Sequence, residues 1–477
     1  MSDTEHELEY LFHPKSIAVV GVSSNPSNHI GRILLEPLLT SRFEGKVHPV
    51  GAKGGKFKGL KIYPRLSDIP EDIDYVIVSI PAPSIPQLMK ECIRKRVKTV
   101  SFFTAGFEEL GMEEGKRLEG EIVRIARQGG IRLLGPNCVG IYCPKTGLAF
   151  TPDSPRESGS VGFICQSGGN SVYMLRGSVS RGIRFSKIVS IGNASDLNES
   201  DILDYLARDP ETEIIAIYIE GLKDGKRFRR VLEEASAKKP VIVLKGGSSE
   251  SGTRAAASHT ANLAGSDLVW DHLLRQTGVI RVYSIEEMID LIVTLTHTPV
   301  VTGKNVGIMG WGGAASIQAA DDFERSGFIL PHLSAEVKSR LRQLIPVAGS
   351  ILANPVDSAL WLENLAKLSD SIKVFGAWYE IDFMVLHMGI SSTLFSPSEA
   401  LNMLPPTMNA YRNGARAVEK PVIIVLHSGT SPEIWEAFSR EEELCRQSGF
   451  AVYTSFERAA NATMKVIRHH QQIKEVK

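Results

Sequence analysis

Short apolar runs, each followed by a stretch with helical spacing, set what the first third of this chain can become. Residues 16–20 (Ser-Ile-Ala-Val-Val), 47–50, 75–80, 99–103 and 131–134 are such runs. The first of them, ending at Gly21, is a short apolar run of the kind a buried parallel strand shows, and the others are read as further strands of the same sheet. Between the first two, Ile30, Ile33, Leu34 and Leu38 recur at helical intervals. Alternating strand and helix specify an α/β fold around a doubly wound parallel sheet. Ligands of such sheets bind beyond the carboxyl ends of the strands. Those ends carry Gly21-Val22-Ser23-Ser24, Pro81-Ala82-Pro83, Thr104-Ala105-Gly106-Phe107 and Gly135-Pro136-Asn137-Cys138.

A polar link with two prolines, residues 151–158, marks a boundary. A second segment then opens with strand Val161–Cys165 and the turn Gln166-Ser167-Gly168-Gly169-Asn170, leading into a helix. Free N–H groups and the helix dipole converge at such a turn, so Ser167, Gly168 and Gly169 are a candidate anion site. The turn also approaches a hydrolase nucleophile elbow, with Cys165 in place of the first glycine. A plain tight turn is the third reading.

The chain then repeats itself. Val161-Gly162-Phe163-Ile164 with Gly168-Gly169 matches Val306-Gly307-Ile308-Met309 with Gly312-Gly313, and Asn193-Ala-Ser-Asp196 matches Asn354-Pro-Val-Asp357. The apolar runs at 241 and 422 and the motifs at Arg275 and Arg446 follow in the same order. This suggests duplication of a flavodoxin-like unit, giving domains at 8–150, 158–300 and 303–470.

Two differences between the copies are informative. The first copy is longer by about 11 residues between its last landmarks, and the insertion carries His259. The ring sits among Ser, Thr, Ala and Gly, which read as a loop with room for a bulky group on the imidazole. An imidazole is also a nucleophile at neutral pH. The first copy also places Glu220 at the end of strand Ile214–Ile219, where the second is aligned with Met388. A carboxylate on one ring nitrogen leaves the other nucleophilic, so Glu220 and His259 form a candidate catalytic pair. The bland readings are an exposed turn glutamate and a surface histidine.

The first turn offers Gly21, Ser23 and a late Gly31 in place of GxGxxG, and the second strand is followed by Gly51-Ala52-Lys53-Gly54-Gly55-Lys56. A lysine there suits a ribose phosphate better than ribose hydroxyls. Coenzyme A and NADP both fit, and a solvated loop is the alternative. The formal net charge is zero, which gives no support for a nucleic-acid or membrane partner. Five cysteines without a CxxC pair fit a reducing compartment and offer no metal site. With a polar start and no apolar run of spanning length, a soluble cytoplasmic protein is expected.

The motifs Ser-Ile-Ala-Val-Val-Gly at 16–21, Thr-Ala-Gly-Phe-Glu-Glu at 104–109, Gly-Pro-Asn-Cys-Val-Gly at 135–140 and Ala-Ser-His-Thr at 257–260 resemble α subunits of ADP-forming (NDP-forming) acyl-CoA synthetases. These are relatives of succinyl-CoA synthetase. Ala261-Asn262 departs from the family, which more often has Gly and a small residue there. The resemblance implies a CoA-binding Rossmann-like domain followed by two flavodoxin-like domains. It implies that acyl-CoA and phosphate give acyl phosphate and CoA, and that His259 on a mobile loop carries the phosphoryl group to ADP. Glu220 would orient the ring, and Ser167-Gly168-Gly169 would hold phosphate. Gly21, Ser23, Ser24, Lys53, Pro81, Ala82 and Asn137 would face CoA. No Walker motif is present, so the expected partner is an ATP-grasp β subunit, in an α₂β₂ assembly, that supplies the ADP/ATP site and Mg²⁺. The acid would be a small carboxylic acid. A non-catalytic CoA-binding regulator on the same scaffold is the alternative.

Overall fold

The computed structural model describes residues 6–25, 30–260, 266–346, 349–358, 364–389, 397–427 and 431–476. Each expected apolar run of the first segment forms a parallel strand. The order across this sheet is Lys46–Val50, Ser16–Val20, Tyr75–Val78, Thr99–Phe102 and Arg132–Leu134. Helices Ile85–Arg94 and Glu113–Gln128 follow the third and fourth strands and bury Leu88, Met89, Ile122 and Ile125. A hairpin of Gly55–Phe57 and Leu60–Ile62 follows the second strand. Its two-residue turn, Lys58 and Gly59, has positive φ at both positions, the backbone that a tight hairpin needs.

The second sheet runs Ile280–Val282, Val241–Lys245, Ile214–Ile219, Val161–Cys165 and Phe185–Ser190 in parallel, with Ile141–Tyr142 antiparallel at its edge. The third runs Ala451–Tyr453, Val422–His427, Phe383–Gly389, Val306–Gly310 and Val356–Ser358, again edged by an antiparallel strand, Ser350–Leu352. Position for position the two sheets have one topology, that of a flavodoxin-like unit. Their edge strands differ in origin. In the second sheet it precedes the first strand in sequence; in the third it leads directly into its neighbour.

Register corrects three of the sequence matches. Val161 pairs with Ile214 as Val306 pairs with Phe383, so Glu220 matches Gly389 and not Met388. Helices Gly168–Val179 and Gly313–Arg325 then place Ser167 opposite Gly312, one residue off the glycine match. Asn193 follows strand Phe185–Ser190 while Asn354 precedes strand Val356–Ser358, so the shared Asn-x-x-Asp is not an equivalence. The insertion itself is a helix. Among the described residues, the first copy has Glu250–Thr260 and Asp267–Gln276 where the second has Pro432–Gln447. The stretch expected as a loop is thus helical through Thr260. The His259 side chain and residues 261–265 lie outside what the structure describes.

The chain divides into two compact units, Met1–Val179 with Arg184–Ile285, and Ser180–Ile183 with Glu286–Lys477. Within the first unit, the first two sheets are joined by backbone. Asn193 N–H donates to Pro136 O (2.9 Å), Ser195 N–H to Gly135 O (3.1 Å) and Leu197 N–H to Leu133 O (3.0 Å). Among the described residues, no helix is long and apolar enough to cross a membrane.

The turn after Ser16–Val20 is packed to the limit of a hydrogen atom. A Cβ on Gly31 would stand 2.3 Å from Gly21 O. Gly31→Ala is therefore expected to destabilise the protein by about 1–3 kcal/mol. Gly120→Ala, in an open position of helix Glu113–Gln128, should stabilise it by about 0.5–1 kcal/mol. Paired urea melts check both signs.

Candidate functional site

A cavity of about 460 Å³ opens beyond the carboxyl ends of the first three strands of the first sheet. Gly21, Ser23, Lys53 and Arg65 line it, with Gln87 and Glu91 from helix Ile85–Arg94. Gly21 has φ +110°, and its N–H and that of Val22 donate to Val50 O at 2.9 Å. The close approach of Gly31 to that turn is what the third glycine of a dinucleotide fingerprint provides. Its spacing in the sequence hid that role. Ser24, Pro81 and Ala82 are not in the lining: Ser24 and Pro81 are exposed, and Ala82 is buried in the core. Arg65 went unnoticed in the sequence because it lies beyond the hairpin, far from any motif.

The remaining carboxyl ends are tied in series. Ser79 N–H donates to Val20 O (2.9 Å), Thr104 Oγ1 to Ile80 O (2.7 Å) and Asn137 N–H to Thr104 O (3.0 Å). Asn137, with φ +57°, stands where the first sheet meets the Gly192 turn, away from the cavity. One continuous edge thus leads from the cavity to the second sheet.

At that edge the neighbouring strands Val161–Cys165 and Ile214–Ile219 bring Ser167 and Glu220 close together. Gln166, buried and unassigned by sequence reasoning, does the tying. Its Oε1 accepts the N–H groups of Glu220 (2.5 Å) and Gly221 (3.1 Å), and its Nε2 donates to Gly221 O (2.8 Å). Ser167 Oγ accepts the Asn170 N–H at 3.2 Å and so caps helix Gly168–Val179, with Gly168 half-buried and Gly169 exposed at its start. That makes Ser167 a cap whose oxygen faces a donor, which does not suit a nucleophile awaiting a base. The thiol of Cys165 is inert as well, because burial pushes its pKa up to about 12.

Glu220 is buried, and Tyr218 OH donates to its Oε1 at 3.1 Å. The next strand, Val241–Lys245, ends in buried Lys245, whose pKa is lowered by burial against the weaker pull of Asp267 and Glu220. Helix Glu250–Thr260, which carries His259 in its last turn, starts five residues after Lys245. Topology therefore delivers Ser167, Glu220 and the His259 helix to one sheet edge. The distance from Glu220 to the His259 ring lies outside the described residues. In the second copy the register puts Trp311 for Gln166, Gly312 for Ser167, Gly389 for Glu220 and Leu426 for Lys245. Among the described residues, no group of three or more His, Cys, Asp or Glu side chains could hold a metal.

With this geometry in place, comparison with known proteins is specific. Residues 15–144 match the family model of CoA binding domains, and residues 158–295 match that of succinyl-CoA ligase like flavodoxin domains. The α subunit of acetate–CoA ligase (ADP-forming) I from Pyrococcus furiosus is 35% identical over 95% of this chain and 96% of its own length. The chain belongs to the ADP-forming acyl-CoA ligase family. Acetate–CoA ligase (ADP-forming) I of Archaeoglobus fulgidus is 33% identical over 95% of this chain, which spans 62% of that longer protein. A solved structure, the dinucleotide forming acetyl-coenzyme A synthetase 1 of Ca. Korarchaeum cryptofilum in complex with phosphate and ADP, superposes with a TM-score of 0.83. It is 31% identical and 98% of each chain is covered. The activity class is thus that of an acid–thiol ligase, the N-terminal segment is a CoA-binding domain, and the α-subunit relative implies a further subunit.

Glu199, buried at the start of helix Glu199–Arg208 near Lys223, gives this region a pH signature. Burial pushes its pKa up to about 7, with Asp201 adding and Lys223 and Arg227 opposing. A carboxyl raised in the folded state lends stability below its unfolded pKa and loses it as pH rises through about 7. Glu199→Gln should therefore equal wild type near pH ~4 and exceed it near pH ~8, by at most about 3 kcal/mol. Urea melts at the two pH values check it.

Proposed function

We propose that this chain carries the CoA-binding and phosphoryl-carrying steps of an ADP-forming acyl-CoA ligase. The domains at 8–150, 158–300 and 303–470 would divide that work. The supporting observation is the Gln166 clamp. It fixes Glu220 beside the capped helix start at Ser167-Gly168-Gly169, on the edge from which the His259 helix departs. In the reaction, a phosphate oxygen attacks the acyl-CoA carbonyl and the CoA thiolate leaves, giving acyl phosphate. A His259 ring nitrogen then attacks phosphorus, the carboxylate leaves, and the phosphoryl group passes to ADP. Ser167, Gly168 and Gly169 would hold the phosphate with N–H groups, and Glu220 would hold the second ring nitrogen. Positioning and charge neutralisation provide most of the rate in such transfers.

In this reading the cavity takes the nucleotide end of CoA against Gly21, Ser23 and Lys53, and Ser24, Pro81 and Asn137 meet the rest of the molecule along the edge, while Ala82 packs in the core beneath it. Lys53 and Arg65 are the cations placed for the ribose phosphate. NADP also carries a phosphate on its adenosine ribose, but the CoA-binding match favours coenzyme A. The nucleotide site and its Mg²⁺ belong to an ATP-grasp β subunit in an α₂β₂ complex. The Pyrococcus furiosus relative supports a separate partner, because its name is that of an α subunit. The acid is a small carboxylic acid, and the location is the cytoplasm.

The deciding experiment incubates the complex of this chain and its partner with Mg²⁺ and γ-labelled ATP. Acid-labile, base-stable label is expected on this chain, absent in His259→Ala and formed about 100-fold more slowly in Glu220→Gln. ADP, or CoA with an acid, should discharge it. No label with the partner folded and bound would overturn the phosphohistidine and leave a CoA-binding subunit without a carrier role. Lys53→Ala should weaken CoA about tenfold and leave dephospho-CoA unchanged, read by calorimetry.

A further inference from the structure

Between the cavity edge and the Glu220 turn lies a set of polar side chains, with Glu119 and Asn193 buried at its centre, that no step above uses. Glu109 accepts with both oxygens: Oε1 from the N–H groups of Gly106 (2.5 Å) and Phe107 (3.1 Å), Oε2 from Asn193 Nδ2 (2.6 Å). Glu119, buried on helix Glu113–Gln128, accepts with Oε2 from Glu108 N–H (3.1 Å) and Asn193 Nδ2 (3.0 Å). Its Oε1 accepts Ser195 Oγ and stands 3.7 Å from Lys223 Nζ. Lys223 also reaches Glu108 at 3.6 Å. It sits three residues past Glu220, on the turn that Gln166 holds from the other side.

The set forms one path. It starts at the Gly106 turn of the first sheet, crosses Glu109, Asn193 and Glu119, and ends at Lys223, three residues after Glu220 in the chain. Gly106 itself has φ +109°, and a Cβ there would stand 3.4 Å from the Ala82 Cβ, so the loops after the third and fourth strands touch at this point. Every neighbour of the two carboxylates named here is a donor. An amide in either place would turn its NH₂ toward donors on one side, so the acceptor-only chemistry of a carboxylate is what closes the path. Burial works against the charge on Glu109, but the bonds from Asn193, Gly106 and Phe107 outweigh it and hold the carboxyl below its usual range.

We infer that Glu109 and Glu119 are positioning residues that set the separation between the thiol end of a CoA laid along the first sheet and the phosphoryl site at Glu220. This rests on the ligase reading above. A displacement of about 1 Å between reacting groups costs on the order of 100-fold in rate, so the path controls CoA-dependent chemistry while leaving phosphorylation from ATP alone.

The test uses the complex of this chain with its ATP-grasp partner and the variants Glu109→Gln and Glu119→Gln. Labelling by γ-labelled ATP should stay within about twofold of wild type, and formation of acyl-CoA from the labelled complex with an acid and CoA should slow about 10–100-fold. Discharge by ADP should be unchanged. Glu109→Asp, which keeps the acceptor-only chemistry, should fall between. Thermal midpoints and CoA affinity by calorimetry are read on the same samples, and Lys223→Met interrupts the path at its exposed end should the glutamine variants not fold. Labelling and acyl-CoA formation falling together would show a merely structural role and overturn the inference, as would an unchanged rate of acyl-CoA formation. A wild-type complex that takes no label overturns the ligase reading and this one together, and is recognised without any variant.

Discussion

The hydrogen bonds from residues 193–197 to Leu133, Gly135 and Pro136 make the first two sheets one object. Three backbone bonds are modest in number, but each joins groups that burial would otherwise leave unpaired. Asp196 adds its Oδ2 to Arg132 Nε and Leu133 N–H, both at 2.9 Å, and Arg132 is held charged by that pair. Because the strands on either side are parallel, this single seam also lines up their carboxyl ends. Everything assigned to the site lies along that line.

The doubly wound folds and the duplication were legible in the sequence because a buried parallel strand must be apolar along its whole length. Residues 16–20, 161–165 and 241–245 show it without help from periodicity. Short or edge elements carry no such mark. Ile141–Tyr142 is two residues long, and the strands of the hairpin after Val50 are three each, too few for any pattern to rise above chance. The His259 stretch misled for a different reason. Small side chains suit a loop, yet three consecutive alanines are also the best helix formers, and helix is what Glu250–Thr260 adopts. Candidate site residues emerged where a strand end or a copy difference exposed them, as with Ser167 and Glu220. Gln166 and Glu109 remained hidden because their meaning is a partner 54 or 84 positions away.

The two flavodoxin-like copies show how one scaffold keeps a site and loses it. Glycine at 389 in place of Glu220 removes the carboxylate, and tryptophan at 311 in place of Gln166 removes the group that would have held it. The second copy instead buries His387, its pKa pushed down to about 3 by burial with His427 nearby, so that imidazole stays neutral and serves packing against Phe456. Substitution at one sheet edge left the order of strands intact, as expected where the core is independent of the loops that carry chemistry.

The edge strand of the second sheet, Ile141–Tyr142, has a consequence for how this chain is divided. It comes from the segment before the proline link, and it covers the hydrogen-bonding side of strand Phe185–Ser190. A cut at residues 151–158, where the sequence most invites one, would release the second sheet with that ladder open to pairing with another molecule. The visible linker is therefore not a seam of folding. The smallest piece that keeps strand Phe185–Ser190 paired on both sides begins upstream of it, so recombination or expression that respects the link alone would yield a sheet prone to self-association.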